Sequence, residues 1–120
     1  MKICSRDREG ARLLRPGERA AYSLFGRRES ADQDTSFVYQ VNQPGAPCED
    51  HAHDLEQWMF IYKGRVRFVI DGEEQVAGPG DLVYVPRNAL HRHETLGRAT
   101  AEILVIDHWP HDSQNQLGWD

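Results

Sequence analysis

Four of the six histidines stand in two His-x-His pairs, His51-Ala52-His53 and His91-Arg92-His93. On a β-strand, residues i and i+2 point to the same face, so each pair is able to aim both imidazoles at one point. Neutral imidazole is a good ligand for divalent iron, nickel, copper and zinc at physiological pH. One such pair says little. Two pairs, with three strand signals between them to fold one back over the other, point to a metal site. The alternative at this level is polar histidines on solvent-facing strands. Cys48 lies three residues before His51 and is within reach of the same place, although a cysteine so placed is more often a small packing residue. Cys4 is the only other cysteine, and two so far apart suggest neither a disulfide framework nor a cysteine-based zinc site.

The elements that would carry these histidines read as strands. Ser36-Phe37-Val38-Tyr39-Gln40-Val41 is β-branched and aromatic, and it ends at the turn cluster Asn42-Gln43-Pro44-Gly45. Trp58-Met59-Phe60-Ile61-Tyr62 is a second apolar run, stopped by Lys63-Gly64. Arg65–Ile70 begins by alternating polar and apolar residues, then meets Asp71-Gly72, a strong two-residue hairpin signal. Leu82–Val85 lies between Gly78-Pro79-Gly80-Asp81 and Pro86, and Glu102–Ile106 is the last strand. Ser5–Leu14 and Asp54–Met59 could each hold a turn or two of helix, but neither has sustained 3.6-residue periodicity. Short strands at intervals of about ten residues, separated by Gly and Pro, predict an all-β sandwich or barrel.

A chain of 120 residues makes one domain whose core needs no disulfide staples. Hydrophobic residues at 39% and charged residues at 28% are a globular balance, not a disordered one. Apolar runs are short and the first residues lack a charged-apolar-small pattern, so neither a membrane span nor secretion is expected, and the cytoplasm is the expected compartment. The net charge of −5 argues against a nucleic-acid partner. It also hides an asymmetry: residues 1–28 carry a net of +5 and the rest −10. A basic arm of this kind either contacts an acidic partner or is simply a solvated segment.

With the strands in place, the spacing around the histidines becomes informative. Gly45, five residues, His51-Ala52-His53, three residues, Gln57, six residues, Gly64 resembles the first motif of the cupin superfamily, Gly-x5-His-x-His-x3,4-Glu-x6-Gly. Gly80, five residues, Pro86-Arg87-Asn88, two residues, His91 resembles the second, Gly-x5-Pro-x-Gly-x2-His-x3-Asn. The resemblance covers about residues 36–106. It implies a cupin-type double-stranded β-helix, or jelly-roll barrel, with a metal site in its mouth. Residues 1–35 would then be an N-terminal arm and first strands, and 107–120 a C-terminal surface tail. The chain departs from the pattern at three places. Gln57 takes the position of the carboxylate, and strand alternation agrees that Gln57, not Glu56, shares a face with Met59 and Ile61. Asn88 replaces a turn glycine, and Asn tolerates a left-handed backbone better than most residues. Thr95 replaces the family's Asn.

By this resemblance the ligands are His51, His53, Gln57 (through its amide oxygen) and His91, holding one divalent transition metal: Fe, Mn, Ni, Cu or Zn. His93, two residues after His91, would point inward beside the metal as a general acid or base with a proton affinity near working pH. Tyr39, Arg67 and Tyr84 are candidates to bind a substrate carboxylate or hydroxyl. Neutral ligands leave the ion its full charge, favouring Lewis-acid isomerisation, cyclisation or elimination on a small keto or hydroxy acid, sugar or polyketide-like substrate. A metal-dependent dioxygenase is the second reading, and a non-catalytic small-molecule sensor the third. The resemblance also implies a homodimer, with strands such as Tyr22–Arg27 adding to the partner's sheet.

Overall fold

The structure, a computed structural model, describes residues 1–6, 12–15, 18–26, 34–46 and 48–110, with the backbone alone for 12–15. Its regular elements are β1 (Arg12–Arg15), β2 (Arg19–Phe25), β3 (Thr35–Asn42), β4 (Glu56–Lys63), β5 (Arg65–Ile70), β6 (Glu73–Ala77), β7 (Leu82–Val85), β8 (His91–Leu96) and β9 (Ala101–His108). They form two antiparallel sheets, one ordered β1-β2-β3-β9-β4-β7 and the other β6-β5-β8. The strand signals predicted an all-β sandwich or barrel, and the two facing sheets are that, in the jelly-roll form the cupin resemblance implies.

Period-two alternation explains why the sheets face each other. Ser36, Val38, Gln40 and Asn42 of β3 are buried while the residues between them are partly exposed. Ala101, Ile103, Val105 and Asp107 of β9 do the same, as do Gln57, Met59 and Ile61 of β4. Val66 and Phe68 answer from β5. The core is therefore the space between the sheets, and each of its large aliphatics contributes roughly 1.5–3 kcal/mol on burial.

Two turns set the sheet geometry. Gly64 alone connects β4 to β5, carrying the chain from one sheet to the other. Its φ is +89°, and a Cβ there would stand 2.8 Å from Ala101 Cα and 2.9 Å from Thr100 O, so only glycine fits. Asp71 and Gly72 both have positive φ (48° and 82°), the signature of the hairpin turn that joins β5 to β6.

Three expectations are corrected. Residues 56–59 begin β4 instead of a helical turn, because their alternation buries Gln57 and Met59. In the Ser5–Leu14 stretch Arg6 is helical, 7–11 lie outside the described residues, and the residues from Arg12 onward form β1 instead of continuing a helix. The last strand runs past 106: Asp107 is fully buried, and Trp109 is buried with its N–H donating to Asp34 O at 2.8 Å, so these residues belong to the core and not to a surface tail. Residues 111–120 of that tail lie outside the described residues. Within the chain, β2 lies between β1 and β3.

Candidate metal centre

The two histidine motifs meet through the backbone. His51 lies outside the named strands, on the loop before β4, contrary to the expectation that it sits on one. It forms an isolated antiparallel bridge with His91, the first residue of β8. Each donates its N–H to the other's carbonyl at 2.9 Å. A second link lies one turn away. Asn88 N–H donates to His53 O at 2.8 Å, and Arg87 and Asn88 both donate to Asp54 Oδ1. Asn88 achieves this with φ +64°, the left-handed conformation expected of the residue replacing a glycine.

The rings converge as a result. Centroids of His51 and His91 are 4.2 Å apart, His51 and His53 4.8 Å, and His53 and His91 5.5 Å. One ring nitrogen from each lies within 4.8 Å of the others, close enough for all three to hold one metal ion. The hydrogen bonds choose which nitrogen is free. Nδ1 of His51 lies 2.8 Å from Glu49 O, and Nδ1 of His91 lies 2.8 Å from Ala89 O. A carbonyl only accepts, so Nδ1 carries the proton in both rings and Nε2 keeps its lone pair.

The chemistry of the donors fits a cation. His91 is 1% exposed, and its buried Nε2 has no hydrogen-bond partner among the described residues. Leaving such an atom unsatisfied costs about 1–3 kcal/mol, which coordination would relieve. Burial, reinforced by the neighbouring rings of His51 and His91, pulls His53 down to about 4. Burial lowers His91 as well, against the opposing hydrogen bond to Ala89. Both are therefore neutral near pH 7.

Gln57 faces the interior from β4 and is 4% exposed. Its Nε2 donates to Asp107 Oδ1 at 2.8 Å, while its Oε1 is buried without a partner among the described residues. The sequence reading missed Asp107. The available signal was β9's alternation, in which Asp107 continues the inward row of Ala101, Ile103 and Val105. Burial raises its carboxyl to about 6, against the lowering effect of the Gln57 bond.

His93 is 4% exposed and tilts against Phe68 at 5.5 Å between centroids, with neither ring nitrogen hydrogen-bonded. Its proton affinity is not near working pH: burial, then the positive charge of Arg19, pulls it to about 3. His93 is consequently neutral in the free protein.

The three proposed substrate contacts do not join this cluster. Tyr39 lies between buried Val38 and Gln40 and so points to the outer face, where its hydroxyl donates to Glu102 at 2.7 Å. Tyr84, 46% exposed, sits opposite Trp58 on the outside of the same sheet and bonds to Glu56. Arg67 lies between inward Val66 and Phe68, and its guanidinium pairs with Glu94 at 2.6 Å and Glu74 at 3.1 Å. It borders a cavity of about 340 Å³ on that flank, together with Cys48, Arg92, His93 and Glu94. Strand alternation places all three side chains outside. Cys48 accepts a weak bond from His93 N–H at 3.5 Å and is not among the clustered ligands.

Comparison with known proteins agrees with this architecture. The chain is 27% identical over 94 residues to mannose-1-phosphate guanylyltransferase ManC of Salmonella typhimurium, covering 73% of this chain and 19% of that protein. It is 28% identical over 86 residues to a 1-hydroxy-2-naphthoate 1,2-dioxygenase of Nocardioides sp., covering 70% and 22%. The chain thus spans about a fifth of the length of the curated relatives it matches. Among solved structures, a predicted oxalate decarboxylase from Thermotoga maritima superposes with a TM-score of 0.78 at 15% identity, covering 91% of this chain and all of that one. The polyketide cyclase RemF from Streptomyces resistomycificus gives 0.75 at 23% identity, covering 100% and 89%. The family model for the cupin domain matches residues 38–107, more than half of the sequence, and the chain belongs to the cupin family.

Proposed function

We propose that this cupin is a metal-dependent enzyme, with His51, His53, His91 and the Gln57 amide oxygen as ligands to one divalent transition metal. The single observation that carries the reading is the convergence of three imidazoles, two with Nδ1 committed to carbonyls. When bound, such an ion supplies Lewis-acid polarisation of a carbonyl, undiminished by any anionic ligand. The protein's own groups supply the rest. The His51–His91 backbone bridge holds the ligand rings in place. His93, whose ring nitrogens are buried and unpaired, takes a proton from the carbon beside a substrate carbonyl and returns it elsewhere; burial holds it at about 3 in the free protein, so this role requires a bound anionic substrate to raise its proton affinity. The reaction class is isomerisation, cyclisation or elimination on a small keto or hydroxy acid, sugar or polyketide-like compound. The likeness to the polyketide cyclase RemF supports the fold of such an enzyme.

A second reading, a dioxygenase, is favoured by the 28% identity to the naphthoate dioxygenase. One experiment separates the two. Metal-loaded protein is incubated in deuterated buffer with a panel of keto acids and 1,3-diketones, with and without oxygen. Anaerobic exchange or conversion supports the Lewis-acid reading. Consumption of oxygen, with no anaerobic reaction, replaces it with the dioxygenase. Binding without turnover under either condition leaves a small-molecule sensor.

A further inference from the structure

Gln57 stands where the cupin motif carries a glutamate, and the structure offers a reason. Gln57 on β4 and Asp107 on β9 are direct partners in strand register, both turned inward. Gln57 Nε2 donates to Asp107 Oδ1 at 2.8 Å, and Asp107 is fully buried. The two ends of an amide have nearly the same shape, so hydrogen-bonding neighbours decide its orientation. A carboxylate only accepts, so Gln57 must turn its NH2 group to Asp107. Its oxygen is then left as the free end, and Oε1 is indeed buried without a partner. That oxygen is the only end of an amide suited to a hard or borderline metal.

We infer that Asp107 is a positioning residue that fixes the Gln57 amide with its oxygen available to the metal, and that its presence is why position 57 holds an amide. The inference rests on the metal site proposed above. A glutamate at 57 would set two carboxylates against each other inside the core, where like charges are costly. The family's negative charge is retained, moved outward by one hydrogen bond. Ser36, opposite Asp107 on β3, makes no competing bond: its buried Oγ has no partner.

The test uses metal-free protein titrated with Ni2+ by calorimetry. Asp107→Asn permits both amide orientations at 57 and is expected to weaken Ni2+ binding about 10–100-fold. Gln57→Glu alone is expected to bind no tighter than wild type, despite its added charge. The double variant Gln57→Glu/Asp107→Asn restores a donor–acceptor pair and is expected to bind more tightly than Gln57→Glu. A readout independent of metal is exchange of the Gln57 side-chain NH2 protons by NMR, slow in wild type and fast in Asp107→Ala. Wild type that takes up no Ni2+, or His91→Ala that binds as well as wild type, overturns the metal site and this inference with it. Wild type that binds while Asp107→Asn matches it, or equal NH2 exchange in wild type and Asp107→Ala, overturns the inference alone.

Discussion

His51 and His91, far apart in sequence, exchange both backbone hydrogen bonds at 2.9 Å and hold their rings 4.2 Å apart. The candidate metal site is thereby built on a backbone ladder, so its geometry depends on main-chain pairing more than on any side-chain contact. Replacing one ring should empty the site without unfolding the protein. His53→Ala and His91→Ala are expected to lower metal affinity by at least about 100-fold, the upper end of what outer contacts contribute. Elemental analysis of untagged protein checks this, and metal retained at wild-type stoichiometry in His91→Ala would contradict it.

The buried histidines make the metal-free protein acid-sensitive. His53 and His93 are held at about 4 and about 3, below the ordinary 6.5, so the unfolded chain binds more protons between those values. Their contribution is fully present above pH 6.5 and is lost as pH falls toward 4 and then 3. His91 shifts the same way. Asp107 opposes them: raised from 3.8 to about 6, it favours the fold at low pH and loses that effect as pH rises through 6. Three histidines outweigh one carboxyl. Melting temperatures with chelator present should fall steadily from pH 7 to pH 4.5, and a rise on acidification would refute the balance.

Gly64→Ala places a methyl group 2.8 Å from Ala101 Cα at a φ of +89°. Strain there, with displacement of β9, is expected to cost at least about 2 kcal/mol. Urea unfolding measures it, and a loss below about 0.5 kcal/mol would show that the turn relaxes.

His93 separates stability from function. Two unpaired ring nitrogens in the core cost about 1–3 kcal/mol, so His93→Leu is expected to match or exceed wild-type stability while retaining metal. Turnover on whatever substrate the exchange panel identifies should nevertheless fall by about 100-fold or more. Unchanged turnover removes His93 from the mechanism.

Arg67→Ala and Tyr84→Phe should leave metal affinity at wild-type values, because both side chains lie on outer faces. The exposed ion pairs of Arg67 contribute at most about 1 kcal/mol. A change in Ni2+ affinity beyond about threefold in either variant would show that the outer faces communicate with the site.

Strand positions, the hairpin at Asp71-Gly72 and the histidine spacing were legible in the sequence, because period-two burial and turn conformations are local properties of short segments. β1 and β6 were not: β1 falls in a stretch that read as a possible helical turn, and four of the five residues of β6 are exposed, so no apolar alternation marks it. The family motif likewise made Gln57 a candidate ligand from spacing alone. Which way its amide turns depends on Asp107, fifty positions later. That pairing exists only because β4 and β9 lie side by side in register. The outward facing of Tyr39, Arg67 and Tyr84 and the low proton affinity of His93 were also decided by tertiary structure. Both depend on which side of a sheet becomes the interior, and residue type and spacing do not encode how much water is left there.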